Sequence, residues 1–157
     1  MIWYDINLKK IISIPNKYYL IGICTSFYLV YGAIKCFLIQ SNLEDNIMAI
    51  IGGLSFIYFG FYCLFIFLRG SRYVKSIQKE ERHFILINLF NIELIFEQAD
   101  VYSVEPSKHS FLENFLTDFG GKNPGFLLLL KNKQKFRITS NMEDIDSLRE
   151  CLVKNLN

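Results

Sequence analysis

The side chains able to do chemistry are few in this 157-residue chain, and they do not converge. A zinc site needs Cys and His at short, paired spacings. Cys24, Cys36, Cys63 and Cys151 form no CxxC pair, and His83 and His109 stand apart from each other and from every cysteine. Catalysis by a nucleophile or an acid–base pair needs partners within hydrogen-bond reach. An enzyme acting on lipid would have to draw on scattered candidates such as His83 and Asp100. The expectation is therefore a non-enzymatic protein with no catalytic residue, no metal and no cofactor. No disulfide is expected either, because three cysteines fall in apolar runs and Cys151 falls on a side where thiols stay reduced.

Anion contact is the chemistry that remains. Lys131, Lys133, Lys135 and Arg137 form a basic group late in the chain. It is read first as a solvated hairpin tip. Contact with anionic headgroups, at about 1 kcal/mol per residue near a charged surface, is the second reading. Residues 69–157 hold 13 basic and 12 acidic side chains, a net of +1, and the whole chain carries +2. A nucleic-acid partner is not expected from so small an excess.

The elements that must position these groups divide sharply by composition. Tyr18 to Ile39 and Ile47 to Leu68 are apolar runs, each matching the roughly 20 residues of helix that cross a hydrocarbon core. The second contains no charged residue and is apolar on every face, which suits a helix in lipid better than a surface helix of a soluble domain. Its large apolar side chains alone contribute on the order of 4 to 8 kcal/mol in favour of insertion on the translocon scale, before its smaller and polar residues are counted. Lys35 interrupts the first run about one turn from its end, where an ammonium can extend to the interface. That run is too long for a signal peptide and is followed by no small-x-small site, so it is read as retained.

Charge sets the orientation. Lys9, Lys10 and Lys17 precede the first run, and Arg69, Arg72, Lys75, Lys79 and Arg82 follow the second, while the loop between holds Glu44 and Asp45 and no basic residue. Positive flanks stay inside, so both termini are expected in the cytoplasm. Residues 1–17 are read as an interfacial segment, rich in Trp, Tyr and Lys, with a frayed tail as the alternative. Trp3, Lys9, Lys10, Lys17, Arg69 and Arg72 are the candidate contacts to the membrane surface. Within the hairpin, residues 18–68, small residues recur at helical spacing: Gly22, Ser26 and Ala33 on one helix, Ala49, Gly53 and Gly60 on the other. Such residues let helix backbones approach closely.

From residue 69 to 157 the pattern changes to that of a small α+β domain. Strands are expected over 72–78, 83–90, 92–96, 99–105, 125–130 and 135–139, with turns at 79–82 and 131–134. A C-terminal helix is expected to open at Ser140 as N-cap, with Glu143 completing a capping box. Its apolar face holds Ile145, Leu148, Leu152 and Leu156. Between Pro106 and Gly125, the residues Phe111, Leu112, Phe115, Leu116 and Phe119 recur at helical spacing. They are read as closing the core or, as the candidate recognition element, anchoring a partner.

The segment order resembles that of small bacterial membrane proteins in which a two-helix hairpin precedes a pleckstrin-homology-like (PH-like) domain. The resemblance is carried by Ile95, Phe96, Asp100, Val101, Ser103, Val104 and Glu105, and by residues 138–146 ahead of the last helix. It implies an antiparallel sheet with a C-terminal helix, at the bacterial inner membrane. PH-like domains that bind phosphoinositides are similar in carrying a dense basic cluster in the first strand turn; here that turn is Lys79, Glu80, Glu81, Arg82, so specific inositide binding is not expected. The function expected is a membrane-anchored interaction module in contact with membrane lipids. It would recruit or regulate another protein, or serve as an accessory subunit of a membrane complex. The alternative is an immunity protein neutralising a cognate toxin.

Overall fold

The computed structural model describes residues 1–39, 42–107 and 125–153. Two compact units are formed: Met1–Ser13 together with Arg69–Asn157, and Ile14–Leu68.

The smaller unit is a pair of helices, α1 (Asn16–Ile39) and α2 (Leu43–Arg69). Both are long and apolar enough to cross a membrane, and only 6% and 17% of their apolar windows are buried. Most of their apolar surface is thus left uncovered by the described residues of the chain. Phe27, Tyr28, Leu38 and Met48 are each more than 70% exposed.

The larger unit is built from two antiparallel sheets and a helix. One sheet has the order β1 (Ile2–Tyr4), β2 (Val74–Lys79), β3 (His83–Asn88), β4 (Glu93–Glu97). The other has the order β5 (Val101–Pro106), β6 (Phe126–Leu130), β7 (Lys135–Ile138). A short helix, α3 (Ile145–Val153), follows. Burial alternates along β3 and β6, so each sheet turns one face inward. Trp3, Ile77, Phe84, Leu86, Phe96, Leu128, Ile138, Leu148 and Leu152 share one core. Phe84 and Phe96 are paired across β3 and β4 and stack with ring centroids 5.3 Å apart, an arrangement favourable beyond the area it buries.

The N-terminal residues correct the expectation of a separate interfacial segment. Tyr4 lies opposite Ser76, Trp3 opposite Ile77 and Ile2 opposite Gln78. Asp5 continues the strand through its amide to the Lys75 carbonyl (2.9 Å), and its side chain is buried. There the carboxylate accepts the amides of Asn7 (2.9 Å) and Leu8 (2.8 Å) and the hydroxyl of Thr139. Beyond it, Lys75 Nζ donates to the Ser13 hydroxyl (2.9 Å) and the Ile11 carbonyl (3.3 Å). The hairpin is thus an insertion between two neighbouring, antiparallel strands of one sheet. Both chain connections to it consequently leave from the same end of that sheet.

A second correction concerns α3, which starts at Ile145 and not in the turn capped by Ser140. Asp144 has φ 47°, which no α-helix accommodates. The backbone just before it is taken by the N-terminal strand: Ile6 donates to the Asn141 carbonyl (3.0 Å), and Glu143 donates to the Tyr4 carbonyl (2.9 Å). Long-range pairing wins over the local capping pattern.

Candidate functional site

A basic pocket lies on the sheet unit, lined by Arg69, Arg72, Tyr73, Leu127, Lys135 and Arg137, with a volume of about 260 Å³. Its two halves come from distant parts of the chain. Lys135 and Arg137 are alternate residues of β7, whose intervening and following side chains, Phe136 and Ile138, enter the core. Period-two geometry then turns both cations to the other face. Leu127 lies opposite Arg137 on β6.

The other half is a 3-10 turn, Gly70–Arg72, directly after α2. Three features seat it. A Cβ on Gly70 would lie 2.6 Å from Phe90 Cζ, so only glycine fits there without displacing that ring. The Asn88 side chain donates to the Ser71 carbonyl (3.2 Å) and accepts the amides of Phe90 and Ile92 (3.0 Å each). Tyr73, 1% exposed, then forms a parallel bridge with Arg137. That bridge brings the turn beside β7.

Four cations therefore face one recess, and no described residue lining it is acidic. Two to four basic groups around a small cavity suit an anion: guanidinium forks give paired hydrogen bonds to phosphate or carboxylate oxygens, and the ammonium adds a point charge. Arg69 and Arg72 were expected at a membrane surface as flanking charges, and Lys135 and Arg137 as a solvated tip. The pattern of types was readable in the sequence; their union was not, because it depends on the Tyr73–Arg137 pairing.

The remaining expected site residues are dispersed. Trp3 is 2% exposed and belongs to the core, which corrects its assignment to the membrane surface. Lys9, Lys10 and Lys17 are exposed; Lys9 sits over the Tyr4 ring at 4.3 Å and Lys17 over Tyr18 at 5.5 Å. In the hairpin, a Cβ on Gly60 would lie 3.0 Å from Ser26 Cβ, one on Gly53 3.5 Å from Ala33 Cβ, and one on Gly22 2.8 Å from Cys63 Sγ. The two helices approach along these residues. Ala49 lines an apolar recess with Ala33 and Gly53. The Ser26 hydroxyl donates to its own helix at the Gly22 carbonyl (2.7 Å). Phe111, Leu112, Phe115, Leu116 and Phe119 lie outside the described residues.

Among the described residues, no group of three or more His, Cys, Asp or Glu gathers as metal ligands would. His83 pairs with Glu80 at 2.9 Å on the surface. Asp100 accepts the Glu97 amide at 2.8 Å, closing the turn before β5. No protein-family model, curated protein or solved structure matches this chain.

Proposed function

We propose that this protein is a non-enzymatic interaction module anchored in a bacterial inner membrane, with α1 and α2 crossing the bilayer and a PH-like sheet unit held at the cytoplasmic face. There it recruits or regulates a protein partner, or serves as an accessory subunit of a membrane complex. The observation that carries this reading is the insertion of the exposed, apolar hairpin between β1 and β2. A unit tied through two adjacent strands is tethered at both connections, so anchoring and folding are coupled. Two sheets followed by a C-terminal helix support the PH-like assignment, and the distribution of Lys and Arg supports the orientation. Basic flanks on both sides of the hairpin add attraction to an anionic leaflet.

Labelling tests the arrangement. In a chain whose four native cysteines are replaced by serine, single cysteines at Asn42 and Lys133 should react with an impermeant reagent from opposite sides of the membrane. Labelling from one side refutes it. The partner role is tested by purification in mild detergent: a stoichiometric partner should be retained, and should be lost when Phe115 and Phe119 are both replaced by Asp.

A further inference from the structure

We infer that the outer edge of β4 takes up an extended, basic segment of a protein partner, which adds to the sheet as a further strand. This rests on the interaction-module reading above and names the chemistry of its partner. Among the described residues the other sheet edges are occupied or blunted. Beyond β1, the Tyr4 carbonyl accepts the Glu143 amide, and Asp5 bridges to Met142. β7 is bridged by Tyr73. β5 carries a bulge between Val101 and Ser103 and ends at Pro106, two devices that blunt an edge. β4 has neither. Its residues, Glu93–Glu97, pair in unbroken register with β3, and it is the last strand of its sheet.

Hydrogen bonding fixes which groups this edge offers. Asn88 donates to the Ile92 carbonyl (3.1 Å), so in the alternation of an antiparallel pair Leu94 and Phe96 exchange bonds with Leu86 and Phe84. The amides and carbonyls of Glu93, Ile95 and Glu97 then point away from β3. Asp100 accepts the Glu97 amide (2.8 Å); among the described residues, no group takes up those of Glu93 and Ile95. Ile95 stands 65% exposed between two exposed acids, Glu93 and Glu97. Glu97 and Asp100 cap each other's backbone amides, bonds that leave both negative charges in place, and among the described residues no Lys or Arg pairs with any of the three acids. A recess of about 160 Å³ lies against the strand, lined by Leu94, Ile95, Phe96, Asp100, Leu130 and Asn132, with room for an inward side chain of an added strand. Charge selects the occupant. A second copy pairing antiparallel about Ile95 would set Glu93 opposite Glu97, and like charges directly opposite are destabilising. An anionic leaflet is repelled by the same acids. A partner strand with an apolar residue opposite Ile95, and Lys or Arg two positions to either side, satisfies all three positions.

The test titrates the full chain, carrying isotope-labelled isoleucine in neutral detergent, with the end-blocked peptide Thr-Lys-Thr-Val-Thr-Lys-Thr. The Ile95 amide resonance, identified by its loss in Ile95→Val, should shift and saturate. A peptide with Glu in place of both Lys should bind at least about tenfold more weakly, and so should the Lys peptide methylated on every backbone nitrogen. In Glu93→Lys/Glu97→Lys the preference between the two charged peptides should reverse, and unchanged Trp3 fluorescence establishes that this variant is folded. No saturable shift at Ile95, equal binding by the methylated peptide, or a charge swap that leaves the preference unaltered overturns the proposal. The Ile95→Pro variant removes an amide that β3 does not use, so the ladder between β3 and β4 is kept. A dimer in native mass spectrometry that is lost in Ile95→Pro assigns the edge to a second copy and equally overturns the proposal. A stoichiometric partner retained by Ile95→Pro in mild detergent sinks this inference alone, whereas a native chain that retains no partner sinks the reading beneath it.

Discussion

Replacing Asp5 by Ala should destabilise the sheet unit by about 3 kcal/mol, whereas Asp5→Asn should stay within about 1 kcal/mol of the native chain at pH 7. One carboxylate oxygen of Asp5 accepts both the Asn7 and Leu8 amides, and the other accepts the Thr139 hydroxyl. Asp5, Leu8 and Thr139 are each fully buried. Truncation strands these donors, at about 1 to 3 kcal/mol for each one left without a partner. Part of that is recovered, because the carboxylate's own charge is no longer held away from water. Asparagine keeps an oxygen for the two amides and can donate its own amide to Thr139. The assay is urea unfolding of the full chain in neutral detergent, followed by the fluorescence of Trp3, the one tryptophan in the sequence and a core residue. With a slope of about 1 to 3 kcal/mol per molar urea, the Ala variant's midpoint should fall by about 1 to 3 M.

The same carboxyl gives a pH signature. Burial raises its pKa above the ordinary 3.8, outweighing the lowering by the Leu8, Thr139 and Asn7 hydrogen bonds. The folded state therefore binds the proton more tightly than the unfolded chain. The stability this contributes is fully present below pH 3.8 and is lost as pH rises through the folded value. Asp5→Asn should lack that component. An Ala variant that unfolds at the native midpoint, or an Asn variant that keeps the pH slope, refutes the reasoning.

Two further outcomes are expected. Trp3→Ala should cost the sheet unit about 3 to 5 kcal/mol, as large truncations in cores do, and expose it to protease; a change confined to membrane partitioning would instead restore the interfacial-anchor role. Gly125→Ala should cost about 3 kcal/mol, at the upper end for overpacking, since the added Cβ would clash with the Ile138 carbonyl oxygen, a backbone atom that cannot swing aside; a native urea midpoint would refute that clash.

Much of the fold follows from local pattern. The strands β3, β4 and β6 begin within about a residue of where alternation and turn residues place them, because those signals act over a few positions. The hairpin between β6 and β7 is legible too: Asn132 accepts the Gln134 amide at 3.0 Å, and Lys133 takes φ 68°. The start of α3 departs from its local signal, because the capping pattern of Ser140 and Glu143 loses to backbone pairing with residues 4–6. The basic pocket was half legible, since each pair of cations stands out while the bridge between Tyr73 and Arg137 leaves no local mark.

Composition alone determined that the chain has two helices apolar enough for a bilayer and a polar part with β-strand periodicity, because hydrophobicity and its period are properties of short windows. Tertiary structure decided that the first strand belongs to a sheet whose next strand begins only after the whole hairpin. The physical reason is that Trp3 and Asp5 gain their burial and hydrogen bonds from Ile77, Thr139 and the core around them, partners brought near only when the chain has closed on itself.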